Sequence, residues 1–229
     1  MGKLMIYITG DTHGLKDIGK LFSFNLVNRL SEKDFMIIAG DFGIIWDPKS
    51  IKEYIDIYNR FPFTTLFIDG NHENFDFLDT FPIEQWHGGK VHKISNKIIH
   101  LIRGEVFSID EKKILAIGGA ESDDKDYRTN YLSWWRQETI TQHDIERALE
   151  TSSQHNRIDC VITHTCPKIF LTKELLNSRQ MKIDYTSEEM LNIVAEKINF
   201  TKWYFGHWHI DTIIKKNIRC LYQDIVELL

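Results

Sequence analysis

An α/β fold with mixed sheets is the class this sequence predicts, and three observations predict it. Short, almost wholly apolar runs alternate with amphipathic helical stretches from Leu4 to Ile68, a series of short β-type segments follows between Val91 and Ile117, and the apolar runs end on tips rich in glycine, aspartate and histidine. Short apolar runs suit strands buried on both faces, and their alternation with helices points to parallel pairing.

Taken in order, Leu4 to Thr9 reads as the first buried strand. Leu15 to Leu30 has apolar residues at Leu15, Ile18, Leu21, Phe22, Leu26 and Leu30, the three-and-four spacing of an amphipathic helix. Phe35 to Ala39 is the second buried strand, Lys49 to Arg60 a helix with Ile51, Tyr54, Ile55 and Tyr58 on one side, and Thr64 to Ile68 the third strand. Val91 to Ile94, Ile98 to Ile102, Val106 to Ile109 and Ile114 to Ile117 are separated by turn residues and predict an antiparallel meander. Ala120 to Tyr131 is polar and reads as a long loop, followed by Trp134-Trp135 and a helix from Thr141 to Thr151. Cys160 to Thr163 is a further buried strand, Leu171 to Met181 reads as partly irregular, and Ser187 with Glu188 and Glu189 opens a helix reaching Asn199. Trp203 to Phe205 is the next strand, with Ile213-Ile214 and Cys220 to Val226 expected to close the sheet as antiparallel strands. No linker, low-complexity run or repeat divides the chain, so one domain spanning residues 1–229 is expected.

Bulk properties exclude several classes. The 229 residues carry 28 Lys plus Arg against 33 Asp plus Glu, a formal net charge of −5, which leaves no basic excess for a duplex nucleic-acid surface or an anionic membrane. A 42% hydrophobic content with 14 Phe, 8 Tyr and 6 Trp supports a large core and argues against disorder. Cys160, Cys166 and Cys220 form no C-x-x-C pair, so neither a disulfide framework nor a cysteine zinc site is expected, and a reducing cytoplasm fits best. The apolar start reaches Asp11 far short of the ~20 residues a membrane span needs.

The predicted strand ends bear oxygen and imidazole ligands: Asp11 and His13, Asp41, Asn71 and His72, His164, and His207 and His209. In α/β sheets such ends gather in one crevice. Carboxylate, amide oxygen and imidazole without thiolate suit Mn²⁺ best, with Fe or Zn²⁺ next, and favour these over Mg²⁺. Asp11, His13, Asp41, Asn71, His164, His207 and His209 supply enough donors for two divalent metal ions if one of them bridges.

In order and spacing, Gly10-Asp11-Thr12-His13, Gly40-Asp41-Phe42-Gly43, Gly70-Asn71-His72-Glu73, Thr163-His164 and Gly206-His207-Trp208-His209 resemble the five signatures of the calcineurin-like metallophosphoesterase superfamily. The resemblance implies a four-layer α/β/β/α sandwich with mixed sheets and a metal-dependent phosphoesterase in which two metals activate a water. It implies one metal on Asp11, His13 and His209, the other on Asn71, His164 and His207, and Asp41 between them. His72 is then the residue expected to protonate the leaving oxygen or stabilise the charge of the transition state, with Glu73 orienting it. Phe42-Gly43-Ile44 departs from the Asp-Arg-Gly continuation of the protein serine/threonine phosphatases, and His72 stands where some small phosphodiesterases have Cys, leaving monoester and diester cleavage both open. Arg103-Gly104-Glu105, Gly118-Gly119-Ala120, Ser122, Asp124-Lys125, Arg128 and Trp134-Trp135 resemble a small bacterial and phage subgroup.

The expected substrate is a phosphate ester, most plausibly of nucleotide type, with Arg128 contacting phosphate and Trp134 or Trp135 stacking on a flat leaving group. For that loop, tryptophans packed in the fold and Arg128 paired with Asp123, Asp124 or Asp126 are an equal alternative. His87, His92, His100, His143 and His155 are read as structural or exposed, and Cys166 is given no role. Two other functional readings stand beside the hydrolase: a nuclease of the same superfamily, and a non-catalytic protein-binding scaffold. The full donor set weighs against the scaffold. Oligomeric state leaves no readable pattern.

Overall fold

The structure, a computed structural model, describes residues 3–178 and 184–228. Two mixed sheets face each other, and the alternation along each strand explains why. The strands are β1 Ile6–Thr9, β2 Phe35–Ala39, β3 Thr64–Ile68, β4 Ile83–Trp86, β5 Gly89–Ser95, β6 Ile98–Leu101, β7 Glu105–Ile109, β8 Lys112–Ile117, β9 Ile158–Thr163, β10 Phe200–Phe205, β11 Thr212–Lys215, β12 Ile218–Cys220 and β13 Val226–Glu227. The helices are α1 Gly19–Phe22, α2 Ile51–Tyr58, α3 Phe75–Leu78, α4 Gln142–Ser153, α5 Lys173–Asn177 and α6 Thr186–Lys197. The first sheet has the order β13-β1-β2-β3-β6-β5-β4 and the second β11-β12-β10-β9-β8-β7. Each holds four consecutive parallel strands flanked by antiparallel ones.

Successive side chains of a strand point to opposite faces. Ile6, Ile8, Ile37, Leu66 and Ile68 therefore enter a core between the sheets, where they meet Ile114, Ala116, Cys160 and Ile162. Tyr7, Met36, Ile38 and Phe67 point outward and are covered by a layer holding Leu21, Tyr58 and Leu78. On the far side Leu115, Ile117, Val161 and Phe205 pack against Ile145 and Ala148 of α4 and Leu191 and Val194 of α6. Three cores between four layers give the α/β/β/α sandwich, and burial on both faces is why the strands read as continuous apolar runs.

Several segments differ from expectation. The predicted meander parts into two hairpins, β5-β6 in the first sheet and β7-β8 in the second, with β6 parallel to β3 and β8 parallel to β9, and β12 runs parallel to β10. Leu15 to Leu30 is no continuous helix: only α1 and a 3-10 turn at Val27–Arg29 form. Residues 12–17 close a separate turn through the Asp17 N–H to the Thr12 carbonyl (3.0 Å), and Ser23 Oγ turns back to donate to the Gly19 carbonyl (3.0 Å). Such side-chain bonds compete with helix propagation. The predicted strand Cys220 to Val226 splits: β12 ends at Cys220, and the Asp211 carboxylate accepts the N–H groups of Tyr222, Gln223 and Asp224 (2.8–3.0 Å), turning the chain so that β13 pairs with β1 in the other sheet. Strand β4 escaped the sequence reading because its residues are mostly exposed and carry no apolar pattern. Between Leu171 and Met181 the structure forms α5, while 179–181 lie outside the described residues. Among the described residues, no helix is long and apolar enough to cross a membrane.

Candidate metal centre

The carboxyl ends of β1, β2, β3, β9 and β10 converge at one edge of the sandwich, bringing Asp11, His13, Asp41, Asn71, His72, His164, His207 and His209 together. The loops lock to one another through their backbones: the N–H groups of Thr12 and His13 donate to the Asp41 carbonyl (3.1 and 2.9 Å), and the Gly206 N–H donates to the His164 carbonyl (2.8 Å). His13, Asp41, His207 and His209 all have positive φ (43°, 47°, 67° and 52°). A non-glycine residue in that region costs of order 1–3 kcal/mol and persists where the surroundings over-determine it, typically at functional sites. Side chains crowd so closely that a Cβ at Gly40 would collide with the His164 ring and one at Gly206 with the Asp11 carboxylate.

Two groups of carboxylate, amide and imidazole donors face each other here. In the first, ligand atoms of Asp11, His13, Asp41 and His209 all lie within 4.8 Å of one another. Asp11 is fully buried; its Oδ1 accepts the His207 N–H (3.0 Å), while Oδ2 makes no hydrogen bond among the described residues although His209 Nε2 stands 3.0 Å away. His13 Nδ1 lies 2.7 Å from Asp17 Oδ2, a pairing that keeps the proton on Nδ1 and leaves Nε2 facing Asp41 Oδ2 at 3.4 Å. In the second group, His164 donates from Nδ1 to the Ala39 carbonyl (2.9 Å), so Nε2 presents a lone pair toward Asn71 Oδ1 (3.1 Å) and Asp41 Oδ1 (3.2 Å). The ring of His207 packs edge-on to that of His164, with centroids 4.9 Å apart. Asp41 belongs to both groups, and its Oδ1 also accepts the N–H groups of Asn71 and His72 (2.8 and 2.9 Å).

Lone pairs aimed at one another repel unless a positive charge lies between them. Without metal that charge is a proton: burial disfavours the charged imidazoles of His13 and His164, but Asp41 outweighs it and raises both to about 9. Burial likewise opposes ionisation of Asp41, yet His164, His72 and His13 hold its carboxyl well below the usual range. Buried carboxylates, imidazoles with the far nitrogen tied down and an amide oxygen form a hard-to-intermediate donor set, and the group Asp11, His13, Asp41 and His209 fits a divalent cation.

The sequence matches the family model for calcineurin-like phosphoesterases over residues 4–211. The chain belongs to the calcineurin-like phosphoesterase family. It is 25% identical over 184 residues to the lariat debranching enzyme of Schizosaccharomyces pombe, a match covering 72% of this chain and 37% of that protein, so the chain spans well under half of the relative's length. A crystal structure aligned over 97% of this chain and 94% of the other has a TM-score of 0.54 at 10% identity, a likeness of fold. The phosphopantetheinyl hydrolase PptH of Mycobacterium tuberculosis aligns over 96% of this chain and 88% of its own at 16% identity, with a TM-score of 0.41.

Around the candidate metal centre of this calcineurin-like phosphoesterase, the remaining expected residues divide. His72 keeps 36% of its side chain exposed, with Nε2 3.9 Å from Asp41 Oδ2. Burial and the charge of Arg128 lower its basicity against the pull of Asp41. Arg128 Nη2 is nearly equidistant from the two nitrogens of the His72 ring (3.2 and 3.4 Å), which places it against the ring face, and Arg128 Nε pairs with Asp124 at 2.7 Å. Trp134 is half-buried, but Trp135 is only 1% exposed, T-stacked on Trp46 with its indole N–H donating to Asp76 (3.0 Å). It is a core residue and offers no face to a ligand; the exposed large side chains of this loop are Tyr127, Tyr131 and Leu132. Glu73 does not orient His72. Its buried carboxyl accepts the N–H groups of Phe42 (2.8 Å), Gly43 (3.3 Å) and Gly70 (2.8 Å), bracing the loops after β2 and β3, and burial with the nearby Asp41 charge raises it to about 8.

Three contributors escaped the sequence reading. Asp17 fixes His13 and accepts the Tyr222 hydroxyl (3.1 Å); its one signal was the i, i+4 spacing from His13. Tyr222 stacks on His209, centroids 4.9 Å apart. Lys20 buries its ammonium against the carbonyls of Gly10 (3.0 Å), Asp11 (2.6 Å) and Tyr222, and burial lowers it to about 8.

Proposed function

We propose that this chain hydrolyses a phosphodiester or phosphomonoester, of nucleotide type, at two divalent metal ions, Mn²⁺ suiting the donors best and Fe or Zn²⁺ next. The observation that carries the reading is the pair of converging lone-pair groups that share the buried carboxylate of Asp41. Asp11, His13 and His209 would hold one ion, Asn71, His164 and His207 the other, with Asp41 reaching both. Bound there, such a pair lowers the pKa of water and neutralises charge on phosphoryl oxygens.

The protein's own groups do the rest. Asp17 and the Ala39 carbonyl hold His13 and His164 in the tautomer that presents Nε2. His72, part exposed beside Asp41, would donate to the leaving oxygen, and Arg128 against its ring would present a planar cation to a non-bridging oxygen. Trp134, together with Tyr131 and Leu132, offers flat or apolar surface for a base.

A second reading, a nuclease of the same superfamily, is favoured by the similarity to a protein named for lariat debranching. The net charge of −5 then favours a nucleotide or short single strand over duplex. Initial rates with Mn²⁺ on bis(4-nitrophenyl) phosphate, 4-nitrophenyl phosphate and a single-stranded oligonucleotide, for wild type and Asp41→Asn, test both. Since metal stabilisation supplies several kcal/mol, at about 1.4 kcal/mol per tenfold, Asp41→Asn is expected to lose roughly 10³-fold or more on whichever substrate turns over. A wild-type rate matched by Asp41→Asn would refute the assignment, and cleavage of the oligonucleotide alone would select the nuclease.

A further inference from the structure

An asparagine metal ligand poses a problem that carboxylates and imidazoles do not. Its two ends have nearly the same shape, one an acceptor and the other a double donor, so only hydrogen bonding decides which end faces a cation. Asn71 is buried, and its Nδ2 donates to Ser122 Oγ at 3.0 Å. Ser122, also buried, donates its single hydroxyl hydrogen to Glu138 Oε2. The other oxygen of Glu138 accepts the Trp135 N–H at 3.1 Å.

One hydroxyl sets the direction of this chain. Ser122 has a single hydroxyl hydrogen, which it gives to Glu138, so its oxygen accepts from Asn71. The carbonyl oxygen of Asn71 is left facing the other way, toward His164 Nε2 at 3.1 Å. Both ends of the relay hang on one guanidinium. Arg103 donates to the carbonyls of Gln137 (2.7 Å) and Thr139 (3.2 Å), on either side of Glu138, and from Nε to Asp69 (2.7 Å), two residues before Asn71. Burial raises the Glu138 carboxyl to about 7, with the hydrogen bonds from Ser122 and the Trp135 N–H acting against that rise.

We propose that Ser122 and Glu138 are positioning residues that fix the amide of Asn71 with its oxygen toward the second cation site, a role that rests on the two-metal reading. They touch no substrate; they act through Asn71. Losing an outer-shell partner of this kind typically costs 10–100-fold in metal affinity.

The test is calorimetric titration of Mn²⁺ into the full chain, stripped of metal, for wild type, Ser122→Ala, Ser122→Thr and Glu138→Gln, each first shown to unfold cooperatively on heating. Wild type is expected to take up two ions. Ser122→Ala is expected to keep the affinity of one ion, held by Asp11, His13 and His209, and to bind the other about 10–100-fold more weakly. Ser122→Thr, which keeps the hydroxyl at a position that lines a cavity of about 500 Å³, is expected to restore that affinity. Glu138→Gln, which no longer dictates the direction of the relay, falls between the two and stands in for Ser122→Ala should that variant fail to fold. Two ions bound with wild-type affinities by Ser122→Ala, or equal weakening in Ser122→Thr, would overturn the positioning role. A wild type that binds one ion would instead overturn the two-metal reading beneath it.

Discussion

Two aspartates leave neighbouring strands of the first sheet, both almost fully buried and both beside histidine, yet they are opposites. Asp69, following β3, is complete: Arg103 binds Oδ2, and His100 Nε2 lies 3.1 Å from Oδ1. Burial opposes its ionisation, but the guanidinium holds the carboxyl far below its ordinary value. His92 follows in the same cluster, its Nδ1 3.0 Å from that of His100, with burial lowering it to about 4. Asp41, following β2, faces imidazole nitrogens whose far sides are already committed, and among the described residues no arginine pairs with it. Burial and an Asp–His contact are common to both regions. What separates a structural cluster from a candidate catalytic one is whether the protein supplies the compensating charge itself.

The largest effect that would sharpen this contrast falls on Asp69. Asp69→Asn leaves the buried Arg103 with only the longer contact to Asp144 (3.6 Å), and removing one partner of a buried pair costs about 3–5 kcal/mol. Urea unfolding should show that loss equally with and without Mn²⁺; a loss that Mn²⁺ reverses would assign Asp69 to the metal centre after all.

Next comes pH. In the metal-free chain His13 and His164 titrate near 9, above the unfolded value near 6.5, so the stability their protonation contributes is fully present below about pH 6.5 and is lost as pH rises through about 9. Metal binding requires those protons to leave, so Mn²⁺ affinity moves the other way, rising from pH 7 to 9 by up to about tenfold per unit for each imidazole displaced. Thermal unfolding of the stripped protein and calorimetry in buffers of different ionisation enthalpy check the two signs. A Mn²⁺ affinity flat over that range would show that no proton occupies the cation positions.

The smallest effect concerns the brace. Glu73→Gln replaces one acceptor of three backbone N–H groups by a donor, leaving a buried N–H unsatisfied at about 1–3 kcal/mol. A lower melting temperature with the Mn²⁺ stoichiometry unchanged is expected; loss of metal without loss of stability would make Glu73 part of the centre.

Much of this was readable from the chain. Strands such as Phe35–Ala39 and Thr64–Ile68 announce themselves because both faces are buried, and the donors at their ends stand next to glycines that the crowded site requires. What stayed hidden depends on contacts between distant residues. Trp134 and Trp135 are adjacent and identical, and only the position of Trp46 and Asp76 decides that Trp135 is core. The i, i+3 spacing of residues 15–30 cannot reveal that Asp17 is spent on His13 and Lys20 on three carbonyls. Glu138 suggested a helix-dipole charge, whereas its partner Ser122 is 16 residues away and the ligand it serves 51 residues beyond that serine.

In the proposed centre, divalent metal supplies the charge that compensates the Asp41 cluster. Elemental analysis of the full chain purified without chelator, loaded with Mn²⁺ and freed of excess by gel filtration, tests it directly, with Asp41→Asn treated in parallel. Two ions per wild-type chain and less than one in Asp41→Asn are expected, because Asp41 reaches both donor groups. A wild type that retains no stoichiometric metal would contradict the account, leaving protons as the compensating charge and the chain a scaffold of this fold.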